Sequence, residues 1–110
     1  LTTRLHDKNF LNAYTYFKIG KYKSAIVALK NSLKQYPESP RKEGIMYYTT
    51  VAAYRLAANS IESKQMDRYL ATLDYYYSFI AEYPESKHKR ELDNIAEHTR
   101  DFIDKHRKTE

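Results

Sequence analysis

Cysteine and tryptophan are absent from the 110 residues, and there are only two glycines and three prolines. Each absence closes off a class. Without cysteine there is no disulfide framework, no thiolate metal site and no cysteine nucleophile, and the redox compartment stays open. So little glycine and proline excludes a loop-rich or low-complexity chain. Gly20 and Gly44 stand alone, so no glycine-rich loop cradles a phosphate. The longest apolar-leaning runs, such as Tyr75 to Ala81, fall far short of the roughly 20 residues that span a bilayer. The opening LTTRLHDKNF has no apolar signal-peptide segment and already reads as helix, as though the chain were an excerpt of something longer.

What is present fits one folded domain. The chain is 42% hydrophobic and 30% charged, and a domain of this size buries about two-thirds of its unfolded surface. The net charge of +5 is uneven. Residues 1–60 carry 10 Lys/Arg against 3 Asp/Glu, and residues 61–110 carry 9 against 11. A basic half suits an acidic protein surface, anionic lipid or nucleic acid, and equally a plain solvated surface.

Helical period runs almost throughout. Phe10, Ala13, Tyr14 and Phe17 share one helix face; after Gly20 come Tyr22, Ile26, Leu29, Leu33 and Tyr36. Tyr48, Val51, Ala52 and Leu56 form a third stripe, and Met66, Tyr69, Leu73, Tyr76, Ile80 and Tyr83 a fourth. Leu92, Ile95, Ala96, Thr99 and Ile103 form the fifth. Five helices are expected, near 3–18, 22–36, 40–58, 62–83 and 87–106, and no strand. The fold class is all-α: a helical-hairpin solenoid with hairpins at about 3–36 and 40–83 and a final helix at about 87–106.

The sequence YPES ends the second and fourth helices, at Tyr36–Ser39 and Tyr83–Ser86, 47 positions apart. Proline ends a helix because it donates no N–H and forces the residue before it out of helical geometry. Serine then caps the next helix through its hydroxyl. At the same offset Tyr22 matches Tyr69, Ile26 matches Leu73, Leu33 matches Ile80 and Lys42 matches Lys89. One hairpin cannot bury its own apolar face, so stacked copies share a core and need the same joint between them.

The run Ala13-x-x-Tyr16-x-x-x-Gly20-x-Tyr22-x-x-Ala25-Ile26, followed by Leu33 and Pro37, resembles the tetratricopeptide (TPR) repeat. Small Ala13 and Ala25 sit where paired helices approach, and Gly20 makes the turn. The second copy departs, with Asp67 at the position of Gly20 and Thr72 at that of Ala25. Its extra length over a TPR falls between Tyr54 and Tyr69, so the second hairpin needs longer helices or a longer turn.

A narrower resemblance covers nearly the whole chain. "AYRLA" after the first joint, the YPES stops and the "NS…KQ…RY" connection are similar to the carboxy-terminal TPR region of the BamD family. These are lipoproteins of the Gram-negative outer-membrane β-barrel assembly machinery. The resemblance implies a non-catalytic scaffold on the periplasmic side of the outer membrane. Its partners would be the periplasmic domains of the barrel-forming subunit, with a lipid anchor upstream of Leu1. Another periplasmic TPR adaptor, such as the cell-division coordinator of the Tol-Pal system, shares the YPxS stop and is the alternative.

Catalytic constellations do not assemble. His88, Glu91 and His98 lie near one face of the last helix, but the two histidines are about 15 Å apart along it, too far to share an ion. No metal or cofactor is expected, and Asp101 and Asp104 read as solvated surface. Twelve tyrosines invite more attention. Tyr22, Tyr36, Tyr69, Tyr76 and Tyr83 lie on apolar stripes and read as core. Tyr47, Tyr54 and Tyr75 fall off them and are candidate docking residues, since a rigid ring buries area at low entropic cost.

Lys23, Lys30 and Lys34 on the second helix, with Arg41 and Lys42 at the joint, are the candidate basic contacts for an acidic protein surface. Aromatics beside lysines also suit single-stranded nucleic acid. The per-repeat base code of helical RNA readers is not apparent, so a nucleic-acid partner is not expected. An accessory module of an enzyme is the remaining class.

Overall fold

The computed structural model describes residues 2–108, with the side chains of 5–107. It is a row of five helices: α1 (Thr2–Lys18), α2 (Tyr22–Gln35), α3 (Lys42–Ala58), α4 (Glu62–Glu82) and α5 (Lys89–Lys108). There is no strand among the described residues. Each helix packs against the next, and α3 also touches α1 and α5. The extents of 54 × 29 × 19 Å fit a stack that grows along one axis, and the fold is a TPR-like helical-hairpin solenoid.

The two joints are structural copies. Tyr36 and Tyr83 end their helices with φ −129° each and ψ 74° and 64°, and each donates its N–H to the carbonyl four residues back. Ser39 and Ser86 then fold back: each N–H bonds the carbonyl of its tyrosine, at 3.0 and 3.2 Å. Each serine Oγ accepts from the backbone N–H two residues on, Arg41 or His88, at 3.0 Å. Each serine carbonyl accepts from the N–H three residues on, Lys42 or Lys89. The serines therefore cap the tight turn that leads into each helix, while Arg41, at the N-cap of α3 itself, makes no side-chain cap bond. The α-helical bonding itself begins at Lys42 and Lys89, two residues later than the sequence suggested, because the first turn is a tighter i to i+3 turn.

The hairpin turns locate the extra length. Both turns hold three residues, Ile19–Lys21 and Asn59–Ile61, and lie 40 positions apart, whereas the joints lie 47 apart. The seven added residues are all in α4, which has 21 residues against 14 in α2. Seven residues are close to two full helical turns, so the insertion lengthens the helix without rotating its buried face.

This corrects the pairing of Asp67 with Gly20: Asp67 lies inside α4, and Ser60 holds the turn position. Gly20 adopts φ +81°, the left-handed conformation that ends helices cheaply only at glycine. The second turn needs no positive φ at all.

The buried faces are turned slightly from the expected stripes, by the same amount in both copies. On α2 the buried residues are Ala25, Leu29 and Ser32, and on α4 Tyr69, Thr72, Tyr76 and Phe79, while Ile26, Leu33, Leu73 and Ile80 flank them half-buried. Phe79 is fully buried at the centre of the larger core cluster with Val51, Tyr76, Leu92 and Ala96. Thr72, the counterpart of Ala25, is fully buried too. Its hydroxyl donates to the Arg68 carbonyl at 2.9 Å, so it packs as a small residue with no unpaired polar atom. Thr49, Thr50 and Thr99 bond their own helices in the same way.

Candidate docking groove

The central helix α3 is apolar nearly all round, with Ile45, Thr49, Thr50, Val51, Ala52, Ala53 and Ala57 buried. A helix with that pattern must be covered on several sides. Helices α2 and α4 cover it from two directions, and their backbones do not come close to each other. A groove is left between them with α3 as its floor.

The groove has two basins. One, of about 360 Å³, lies between Lys30, Leu33 and Lys34 of α2, Ile45, Met46 and Thr49 of α3, and Tyr75 and Ser78 of α4. The other, of about 180 Å³, lies between Lys23, Ile26 and Val27 of α2, Ala53 and Leu56 of α3, and Arg68, Ala71 and Tyr75 of α4. Tyr75 belongs to both, and the Lys30 ammonium sits over its ring at 5.6 Å, a cation–π bridge across the groove. No carboxylate lines either basin.

The predicted contact residues separate into two groups. Lys23, Lys30, Lys34 and Tyr75 come together at this groove. The three lysines are exposed and rim an apolar floor. The other predicted residues hold the molecule together. Arg41 pairs with Asp7 at 2.7 Å and lies over the Phe10 ring, tying α1 to the joint. Lys42 bonds Glu82, which raises its pKa and ties the first joint to the end of α4.

Tyr47, Tyr54 and Tyr75 are all half-buried, and Tyr47 and Tyr54 are covered by α5, which packs on this side of α3. The Tyr47 hydroxyl donates to Glu91 at 2.7 Å and its ring stacks on His88 at 3.9 Å. Burial first, and then the bond to the Glu91 carboxylate, pushes its pKa far up, so it stays a neutral donor. Tyr54 packs against Tyr69 in the core cluster shared with Ile103.

Met46, Thr49, Leu56, Arg68, Ala71 and Ser78 were not anticipated at the groove. On each wall they fall at a seven-residue interval, Arg68 and Ala71 before Tyr75 and Ser78, and Met46 and Thr49 before Ala53 and Leu56. The residue types differ within each pair, so the sequence carried no signal for them.

Elsewhere, His88 is committed to its stack on Tyr47. No three His, Cys, Asp or Glu side chains gather among the described residues. No helix among those residues is long and apolar enough to cross a membrane.

Among known proteins, the family model described as "YfiO: Outer membrane lipoprotein" matches residues 2–107. No curated protein matches the chain.

Proposed function

This chain belongs to the YfiO family of outer membrane lipoproteins, and we propose that it is a non-catalytic adaptor of the outer-membrane β-barrel assembly machinery. In this reading it is the carboxy-terminal part of a BamD-type lipoprotein, held at the periplasmic face by an anchor upstream. It docks the periplasmic domains of the barrel-forming subunit. The observation that carries the reading is the match of residues 2–107 to that family, in a chain built as a repeat stack with a basic-rimmed apolar groove. Stacked helical hairpins offer extended surfaces for other proteins.

The lysine rim supplies the test. Lys23 and Lys34 form no ion pair among the described residues, and Lys30 leans on Tyr75. Exposed charges act on encounter rate and are screened over about 8 Å at physiological salt. Changing Lys23, Lys30 and Lys34 together to Glu should weaken binding to the barrel-forming subunit's periplasmic domain about tenfold at low salt. The loss should be smaller at high salt, and the far-ultraviolet circular dichroism should not change. Equal affinity at low salt would remove the electrostatic mechanism.

A further inference from the structure

The two basins of the groove are not independent. Every wall repeats at the same interval: Lys23, Ile26 and Val27 become Lys30, Leu33 and Lys34 on α2, and Arg68 and Ala71 become Tyr75 and Ser78 on α4. Seven residues of helix advance about 10.5 Å. We propose that the basins form one docking groove for an amphipathic helix of a partner protein. That helix carries large apolar side chains seven positions apart, flanked by Asp and Glu. The proposal deepens the adaptor reading and rests on it.

Spacing selects the helix. Same-face side chains on an extended segment recur at about 6.8 Å and then about 13.6 Å, and neither matches the basins. On a helix lying along α2 and α4, residues i and i+7 are about 10.5 Å apart and on one face.

Charge selects its polar flank. Lys23, Lys30, Lys34 and Arg68 rim the groove with no carboxylate among them. The amphipathic helix α5 of this chain, whose charges are mixed, is not the occupant. Its own apolar residues Leu92, Ala96 and Ile103 are already buried against α3 and α4.

The test titrates the full chain with stapled helical peptides of about 15 residues, rich in Glu, with Leu, Ile or Phe at i and i+7. Backbone amide shifts map the contact by nuclear magnetic resonance. Saturable binding is expected, with shifts at Met46, Thr49, Ala71 and Ser78. Affinity should fall at least about tenfold when the anchors move to i and i+5, off one face, or when Glu is exchanged for Lys. Ser78→Trp, an exposed position at the larger basin, should fill the groove and abolish binding with an unchanged circular dichroism spectrum.

The proposal is overturned if no peptide of the panel binds, if i, i+5 peptides bind as well, or if the shifts lie elsewhere. Preferential binding to phosphatidylglycerol vesicles would overturn it as well. If the Ser78→Trp chain still binds the barrel-forming subunit's periplasmic domain with wild-type affinity, the groove is not the contact and the adaptor reading stands. If the wild-type chain fails to bind that domain, the adaptor reading itself falls.

Discussion

Replacing Ser39 or Ser86 with alanine asks whether the two joints, alike in backbone, are alike in energy. In each, the hydroxyl oxygen accepts one helix-start N–H at 3.0 Å, and losing such a cap costs about 1 kcal/mol. Ser86 does one thing more: its O–H donates to the Glu43 carboxylate, tying the second joint to the start of α3, where the first joint ends. A hydrogen bond to a charged group is worth about 1.5–3 kcal/mol. Ser86 and Glu43 are only partly buried, so solvent screening brings that to about 1 kcal/mol.

Ser39→Ala should therefore cost about 1 kcal/mol, and Ser86→Ala about 2 kcal/mol. At this chain length these correspond to drops of about 4 °C and 8 °C in thermal midpoint. Thermal and urea unfolding followed by circular dichroism would measure both. A double-mutant cycle of Ser86→Ala with Glu43→Gln should show a coupling of about 1 kcal/mol. Ser39→Ala costing as much as Ser86→Ala, or both proving neutral, would refute the account of the joints.

Three further outcomes are expected. Ala25 is fully buried where α2 meets its neighbours, so Ala25→Leu should overpack the contact and cost about 1–3 kcal/mol in chemical unfolding. A Cβ on Gly20 would meet nothing within 4 Å, so Gly20→Ala should cost only the left-handed backbone penalty, about 1–2 kcal/mol, visible as a lower melting temperature with unchanged helix content. Asp93 accepts hydrogen bonds from Lys89 and Tyr76, which hold its pKa below the usual value. A depressed carboxyl stabilises above its unfolded pKa, and that contribution is lost as pH falls through the folded pKa. Asp93→Asn should accordingly flatten the acid side of the stability-against-pH curve.

The fold was legible because its punctuation is chemical. Pro37, Pro84 and the serines after them mark both joints, and Gly20 marks the first turn. The second turn lies at Asn59–Ile61, between the expected helices, but its equivalence to the first was missed because no glycine marks Ser60. A shift fixed at the joints carried Asp67 onto Gly20, where a seven-residue extension of α4 intervenes. The tyrosines show the limit on the site. Periodicity says which face of a helix is apolar, but Tyr47 and Tyr54 lie on a helix wrapped from several sides, and residues off its stripe are covered too. Tyr75, half-buried as well, differs in lying on α4, where it lines both basins of the groove. Arg41 and Lys42 looked like free charge, and only the three-dimensional arrangement sets them beside Asp7 and Glu82.

The central claim is that this stack is a docking subunit of the outer-membrane assembly machinery. Isothermal titration calorimetry of the chain with the purified periplasmic domains of the barrel-forming subunit tests it most directly. The account predicts saturable one-to-one binding at micromolar affinity or tighter, about −8 kcal/mol or more favourable, weakening as salt rises. Absence of binding heat at about 100 μM of a chain shown by circular dichroism to be folded would contradict it.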